Sequence, residues 1–178
     1  RPDSGTARIG GMDCWKDAAD IKRQLGYLPG ELSLFEEMTG SGFIAFLLEL
    51  RGLKPGARVK ELNERFNLDA SGRIKRMSKG TRQKLAIVAA FAHDPKVYVL
   101  DEPTSGLDPL MQNAFIELVL EEKKRGKTFF MSSHNFEEVD RSCDRAARLR
   151  EGRLVAVQET AFVCSLATTC ASGAGMMP

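Results

Sequence analysis

The strongest constraint on the fold is a short apolar run that ends in two acids, Val97-Tyr98-Val99-Leu100-Asp101-Glu102. Its first four residues favour a β-strand and carry no charge, which is typical of a central parallel strand covered on both faces. In an open parallel sheet, ligands bind beyond the carboxyl ends of the strands. The run therefore predicts an α/β fold with Asp101 and Glu102 at a ligand-binding edge.

The two acids are expected to do different work, because successive residues of a strand point to opposite faces. Asp101 is a candidate for holding a magnesium ion through a coordinated water. Glu102 is a candidate for polarising the water that attacks a phosphate group. Taken alone, the run is equally compatible with a second interpretation, in which both acids cap the loop that enters the next helix.

The pattern around this run predicts alternating strands and helices, and hence a parallel α/β sheet with right-handed crossovers. Asp108 is the predicted N-cap of a helix that has Pro109 at its first position and Gly126 just beyond its end. Residues 31–76 look helical without strands, which indicates a helical insertion. The other predicted strands are 5–11, 25–28 and 128–133. The other predicted helices are 15–24, 39–50, 59–66, 85–92 and a short one capped by Asn135, and residues 148–157 are a predicted hairpin that turns at Glu151-Gly152.

The segment Met77-Ser78-Lys79-Gly80-Thr81-Arg82-Gln83-Lys84 opens the buried helix and is a candidate anion site. Ser78 is a plausible N-cap, and Gly80 permits a close approach of another group to the backbone. Free N–H groups and the helix dipole favour a phosphate at such a terminus. The alternative is an ordinary helix cap.

His134 directly follows the predicted strand 128–133, so it is expected at the same sheet edge as Asp101 and Glu102. A lone histidine is usually structural, but one beside a carboxylate pair is a candidate catalytic group. His93 stands at the end of a helix beside Asp94-Pro95 and is interpreted as structural.

Composition narrows the function classes. The 178 residues include 26 Lys and Arg against 24 Asp and Glu, a net charge of +2, which argues against a strongly electrostatic nucleic-acid binder. No apolar stretch is long enough to predict a transmembrane helix. Four scattered cysteines predict neither a disulfide framework nor a zinc site and suggest a reducing compartment. Residues 160–178 carry no charge and are interpreted as poorly ordered or foreign sequence.

In combination, these motifs resemble the nucleotide-binding domain of ABC transporters over about residues 1–157. Residues 77–84 resemble the signature motif, 97–102 the Walker B strand with its catalytic glutamate, and 105–108 the D-loop, while His134 matches the switch histidine. The resemblance implies an α/β, P-loop NTPase-like parallel sheet with an ABC-specific helical insertion. It also implies ATP and Mg²⁺ as ligands. The implied site residues are Glu102 and His134 for catalysis, Ser78, Gly80, Gln83, Asp101 and Asp108 for nucleotide binding, and Asp101 for the metal.

The resemblance further implies two kinds of partner. Two such domains sandwich two ATP molecules, so Ser78 and Gly80 act on the nucleotide bound by the other domain, and Asp108 communicates across the dimer. The helical insertion faces membrane permease subunits, which places the protein at the cytoplasmic face of the membrane, with no nucleic-acid partner. The Ser-Lys-Gly-x-Arg-Gln form suggests an exporter. Two alternatives are a non-transport ABC ATPase of translation or DNA repair, and a catalytically inert ABC-derived interaction domain.

Two departures from the family pattern modify this expectation. The Walker A loop G-x-x-x-x-G-K-[ST] is absent, so we interpret the sequence as an N-terminally truncated fragment that binds ATP weakly and is inactive alone. Gly30 stands where the family usually has the Q-loop glutamine, and whether Glu31 replaces it stays open. The predicted organisation is a partial ATPase core (1–30), a helical insertion (31–76), a core with the signature helix (77–157) and an atypical tail (158–178).

Overall fold

A central sheet of three parallel strands organises the structure, which is a computed structural model that describes residues 3–160. Its strands are β3 (Leu25–Leu28), β4 (Val97–Asp101) and β5 (Thr128–Ser132), in the spatial order β3-β4-β5. The predicted α/β class is therefore confirmed. The connection from β3 to β4 contains α2 (Gly40–Glu49), α3 (Ala57–Arg65), a 3-10 turn (Ile74–Arg76) and α4 (Lys79–Phe91), and α5 (Pro109–Lys124) connects β4 to β5.

The chain divides after Ser132 into two compact units. None of the helices within residues 3–160 combines the length and hydrophobicity that a bilayer span requires. The first unit also contains β1 (Arg8–Ile9), β2 (Met12–Asp13) and α1 (Ala18–Gln24), and the second contains α6 (Phe136–Ser142), β6 (Arg145–Arg150) and β7 (Arg153–Glu159).

The second unit contains the predicted hairpin, formed by antiparallel β6 and β7. Glu151 and Gly152 turn it with positive φ values of 50° and 72°. Strand β7 reaches Glu159, two residues beyond the predicted end at 157, so the first residues assigned to the atypical tail belong to the strand. The prediction for residues 161–178 falls outside the described residues.

Helix boundaries follow from the capping side chains that the sequence predicts. Oδ1 of Asp108 accepts a hydrogen bond from the backbone N–H of Met111 at 3.0 Å, and Pro109 occupies the first turn of α5. Beyond the end of α5, Gly126 has φ +82°, a left-handed conformation that glycine adopts without steric cost. The side chain of Asn135 caps α6 by accepting from the N–H groups of Glu137 and Glu138.

The hydrophobic core lies between the sheet and the helices that follow it. Most of α4 is buried, as its apolar sequence predicts. Tyr98 of β4 has 0% exposure, and its ring stacks on Phe91 of α4 and on Phe129 of β5 at centroid distances of 4.3 and 4.6 Å. A side chain at Gly26 of β3 would collide with the Tyr98 ring. This aromatic stack therefore joins all three strands to α4.

The other face of the sheet is more open in the described residues than the sequence predicts. Val97 and Val99 are half-buried, and the two neighbours of Val99 in the sheet, Tyr27 and Phe130, are 58% and 73% exposed. Tyr27, Val99 and Phe130 occupy one row across the three strands. The expectation of a strand covered on both faces is thus correct for the Tyr98 and Leu100 face and wrong for the opposite face within residues 3–160.

A buried carboxylate ties the helices of residues 31–76 to α5. The side chain of Glu122 is 1% exposed and pairs with Arg58 of α3 and, at 2.7 Å, with Arg125. A second pair joins Arg65 of α3 to Glu121 at 2.7 Å, but the Glu121 side chain is 51% exposed. Removing one partner of the buried pair is expected to lower the free energy of unfolding more than removing one partner of the exposed pair. Water screens the exposed charges, whereas a buried charge depends on its partner.

We expect Glu122→Ala to lower the free energy of unfolding by about 3 kcal/mol, because it leaves the guanidinium of Arg58 without its buried partner. The matched control Glu121→Ala is expected to cost less than about 1 kcal/mol, since that pair is solvent-exposed. Urea unfolding followed by circular dichroism measures both values. Equal losses in the two variants would contradict the ranking by burial.

Candidate functional site

Asp101 is the last residue of β4, and its exposed carboxylate lies at the carboxyl edge of the sheet. In the register of the sheet it is paired with Ser132, the last residue of β5. The Ser132 hydroxyl donates a short hydrogen bond to Oδ1 of Asp101. On the other side, a Cβ at Gly30 would lie 2.7 Å from Oδ2. The carboxylate is therefore held between the end of β5 and the backbone after β3.

Glu102 lies just past the end of β4, so the strand alternation expected for the two acids does not extend to it. Its φ of +46° is in the left-handed region, where a non-glycine residue costs about 1–3 kcal/mol and persists only when neighbouring contacts hold it. Its N–H donates to the carbonyl and to the hydroxyl of Ser132, at 3.2 and 3.1 Å. The two acids thus diverge through a backbone turn and not through the pleat of a strand.

The helix that begins with the signature-like segment contacts the chain that follows Glu102. Nε2 of the buried Gln83 donates to the carbonyl of Pro103 at 2.7 Å and to that of Glu102 at 3.4 Å. A Cβ at Gly80 would lie 2.9 Å from the carbonyl oxygen of Gly106, so glycine permits this close approach. The structure therefore brings the start of α4 and the loop 102–106 together.

The remaining predicted site residues occupy the ends of helices or follow the sheet edge. Ser78 is exposed and caps α4 by accepting from the N–H of Thr81 at 3.2 Å. Asp108 caps α5, as described above. His134 is exposed and lies in the second unit, two residues after the end of β5. Its predicted approach to Glu102, and the predicted roles of all seven site residues, stay predictions.

The oxygen ligands available at this edge fit a magnesium ion that also binds phosphate. Within residues 3–160, no group of three or more His, Cys, Asp or Glu side chains forms a ready-made metal cage. Mg²⁺ commonly uses one or two carboxylates and completes its shell with water and substrate phosphates. The exposed carboxylate of Asp101 is a donor of that kind.

A cavity of about 130 Å³ lies between the segment after β3 and helices α2 and α4. His93 lines it, and Nε2–H of His93 donates to the carbonyl of Leu25 at 3.2 Å. Burial, followed by the nearby Arg51 guanidinium, lowers the pKa of His93 from 6.5 to about 4. His93 is therefore neutral near pH 7 in the folded chain, in agreement with its structural interpretation.

Comparison with known proteins identifies relatives of the chain. An AAA-domain family model, described as "AAA domain, putative AbiEii toxin, Type IV TA system", matches residues 57–140. The ABC transporter ATP-binding protein NatA of Bacillus subtilis is 36% identical over 160 residues, which are 86% of this chain and 65% of NatA. The chain belongs to the ATP-binding cassette (ABC) family of ATPases.

Solved structures give the same fold. The ATP-binding subunit of an ABC transporter superposes with a TM-score of 0.81 at 29% identity, over 98% of this chain and 73% of that one. An ATP-binding cassette solved as a dimer in a post-hydrolysis state with ADP and Pi gives a TM-score of 0.76 at 20% identity, over 90% of this chain and 75% of that one. The predicted P-loop NTPase-like fold is confirmed. The chain spans from 42% to 65% of the length of five bacterial and archaeal relatives.

Sequence reasoning missed two contributors to the site, Ser132 and the packing of Gly30 against Asp101. The sequence predicts Ser132 only as a strand residue, although its position at the end of a strand neighbouring the acids is an available signal. For Gly30, the sequence indicates only that a side chain is lacking at the Q-loop position. Its contact depends on the β3–β4 register, which a single sequence does not reveal.

We expect the stability of the chain to decline as the pH falls from about 6.5 to about 4, partly through His93. The unfolded histidine takes up a proton in that range while the folded one does not, so protons favour the unfolded state. His93→Gln removes this contribution and flattens the pH dependence. Urea unfolding at several pH values measures the slope, with Ser33→Ala, a change in the same cavity lining, as a control expected to run parallel to the original chain. An unchanged slope in His93→Gln would refute the assignment.

Proposed function

We propose that this chain is part of the ATP-hydrolysing subunit of an ABC transporter and powers the movement of a substrate across a membrane. The observation that carries the proposal is the contact between the signature helix and the loop after the acids. The Gln83 side chain donates a hydrogen bond to the carbonyl of Pro103, and Gly80 lies close to the carbonyl of Gly106. A helix terminus suited to phosphate and an acid pair are thereby held in one rigid arrangement. Similarity to the transporter subunit NatA supports the transport role.

Within this proposal, Glu102 is the general base that accepts a proton from the attacking water. Its left-handed backbone turns it away from the path of the strand, and the hydrogen bonds to Ser132 hold that turn. A correctly placed base contributes about 10²–10⁴ in rate. His134 is the second catalytic residue and stabilises the terminal phosphate of ATP. Asp101 serves the Mg²⁺ ion, which neutralises phosphate charge when it is bound with ATP.

The signature residues are proposed to act on the nucleotide of a second domain. Ser78 is exposed at the start of α4, where free N–H groups and the helix dipole attract an anion. The side chain of Lys79 lies beside Gly106 of the same loop, where a Cβ on the glycine would be 3.4 Å from the Lys79 Cε. Gln83 holds the start of α4 on the loop, and Asp108 is proposed to relay changes across the dimer. The dimeric post-hydrolysis cassette supports pairing of two such domains.

The membrane partner is proposed to contact the helices of residues 31–76, which places the protein at the cytoplasmic face of the membrane without spanning it. The pair between Arg58 and Glu122 supports this role, because it ties α3 to the helix that Asp108 begins. A displacement of α3 is therefore proposed to reach α5 through this ion pair. The Ser-Lys-Gly-x-Arg-Gln form of the signature favours an exporter over an importer.

In the complete gene product, we expect Glu102→Gln to lower kcat for ATP hydrolysis by about 10²–10⁴ while ATP still binds, because the amide cannot accept the proton. The variant should therefore accumulate as an ATP-bound dimer, which size-exclusion chromatography with ATP detects. Glu151→Gln changes an exposed carboxylate on another residue with a left-handed backbone and is the matched control, expected to hydrolyse ATP normally. Normal turnover by Glu102→Gln would sink the assignment of the base.

The 178-residue chain by itself is expected to bind ATP weakly and hydrolyse it negligibly. Its sequence contains no G-x-x-x-x-G-K-[ST] loop, since the Gly126-Lys127-Thr128 triplet has Glu121 where that motif needs glycine. Backbone amides and a lysine for the phosphates are thus missing from these residues. Isothermal titration with Mg²⁺-ATP, compared with the complete gene product, measures the difference. Comparable affinity for the two would contradict the expectation.

A further inference from the structure

The Ser132 hydroxyl is the point at which both acids meet the neighbouring strand. It donates to Oδ1 of Asp101 and accepts the N–H of Glu102 at 3.1 Å, so one oxygen bridges two consecutive residues. The same N–H also reaches the Ser132 carbonyl at 3.2 Å. A hydroxyl is suited to this position because it donates and accepts at once, which neither an amide N–H nor a carbonyl does.

We propose that Ser132 is a positioning residue for the hydrolytic site, and that Gly30 is glycine because the carboxylate that Ser132 holds fills the space of a side chain there. The proposal rests on the proposed function, since it concerns the geometry of Asp101 and Glu102. It assigns the glycine at the Q-loop position a steric role, which is distinct from the loss of a metal ligand.

The steric half of the proposal follows from two contacts on one carboxylate. The hydrogen bond from Ser132 fixes Oδ1 of Asp101 and thereby orients Oδ2 towards Gly30. A Cβ on residue 30 would lie 2.7 Å from Oδ2 of Asp101, which is closer than real Cβ atoms approach, and in tight contact with Cγ at 3.1 Å, so the carboxylate has to move. A glutamine at position 30 would therefore require Asp101 to rotate, and rotation breaks the hydrogen bond with Ser132.

The catalytic half follows from the backbone of Glu102. A residue in the left-handed region returns to commoner conformations unless its neighbours hold it. Without the Ser132 hydroxyl, the carboxylate of Asp101 and the N–H of Glu102 each lose a partner on the same side. Because displacement of a reacting group by about 1 Å can cost 10²-fold in rate, the effect is expected to be larger in kcat than in the binding of ATP.

The first test measures ATP hydrolysis by the complete gene product. Ser132→Ala is expected to lower kcat about 10-fold to 100-fold and to change KM by a smaller factor, and Ser132→Thr, which keeps the hydroxyl, is expected to retain most of the rate. Thr128→Val removes a hydroxyl from the same exposed face of β5 and is the matched control. The positioning role is overturned if Ser132→Ala keeps the kcat of the original protein. It is also overturned if Ser132→Thr loses as much kcat as Ser132→Ala does.

The second test needs no nucleotide and uses the 178-residue chain. Gly30→Ala is expected to lower the midpoint of urea unfolding in the original chain, but not in an Asp101→Ala background, where no Oδ2 is present to collide. Gly72→Ala is the control, because a Cβ there meets nothing within 4 Å. Equal shifts of the Gly30→Ala midpoint in both backgrounds would overturn the steric claim.

The two tests separate failure of this inference from failure of the proposed function. A complete gene product without ATPase activity would remove the proposed function, while the unfolding experiment would still decide the contact between Gly30 and Asp101. An active gene product in which Ser132→Ala behaves like the Thr128→Val control would leave the proposed function standing and remove the role of Ser132.

Discussion

The parallel pairing of β4 with β5 is the interaction on which the rest of the structure depends. Its register places Tyr98 beside Phe129 at one end and Asp101 beside Ser132 at the other. The aromatic end is buried and stacked, so it fixes the register by packing, because a slip by one residue would turn Tyr98 to the opposite face. Once this register is fixed, Asp101 and Ser132 are necessarily paired at the polar end. A hydrophobic contact in the core thus decides which hydroxyl meets the acids at the edge.

The signature helix is held by a buried amide as well as by hydrophobic packing. Gln83 is 4% exposed, and its Nε2 donates to two successive carbonyls of the loop after the acids. Those carbonyls would otherwise be costly to bury. The arrangement holds the start of α4 against the loop 102–106. Under the proposed function, this contact lies within one chain, between the segment proposed to act on the nucleotide of a second domain and the segment proposed to act on its own.

The helices of residues 31–76 are part of the first unit's core and not an independent appendage. Ile44 and Leu62 from these helices share one buried cluster with Leu100 of the sheet. The buried Glu122 carboxylate forms an ion pair with Arg58 of α3, which costs free energy because both charges lose most of their contact with water. Such a buried pair fixes the relative position of the two helices more than it adds to stability. The predicted organisation, with these helices as an insertion within an ATPase core, stays a prediction.

The sequence alone determined the order of elements, the ends of most helices and the nature of the edge residues, because these depend on local chemistry. Asp108 and Asn135 cap helices through contacts within their own segments, and an apolar run closed by acids specifies a strand that ends with Asp101 at the carboxyl edge of the sheet. Tertiary structure alone decided three things: the left-handed turn at Glu102, the hydroxyl of Ser132 on Asp101 and the fit of Gly30 against that carboxylate. Each joins residues that are 30 or more positions apart or depends on such a contact, and a single sequence does not encode the strand register that brings them together.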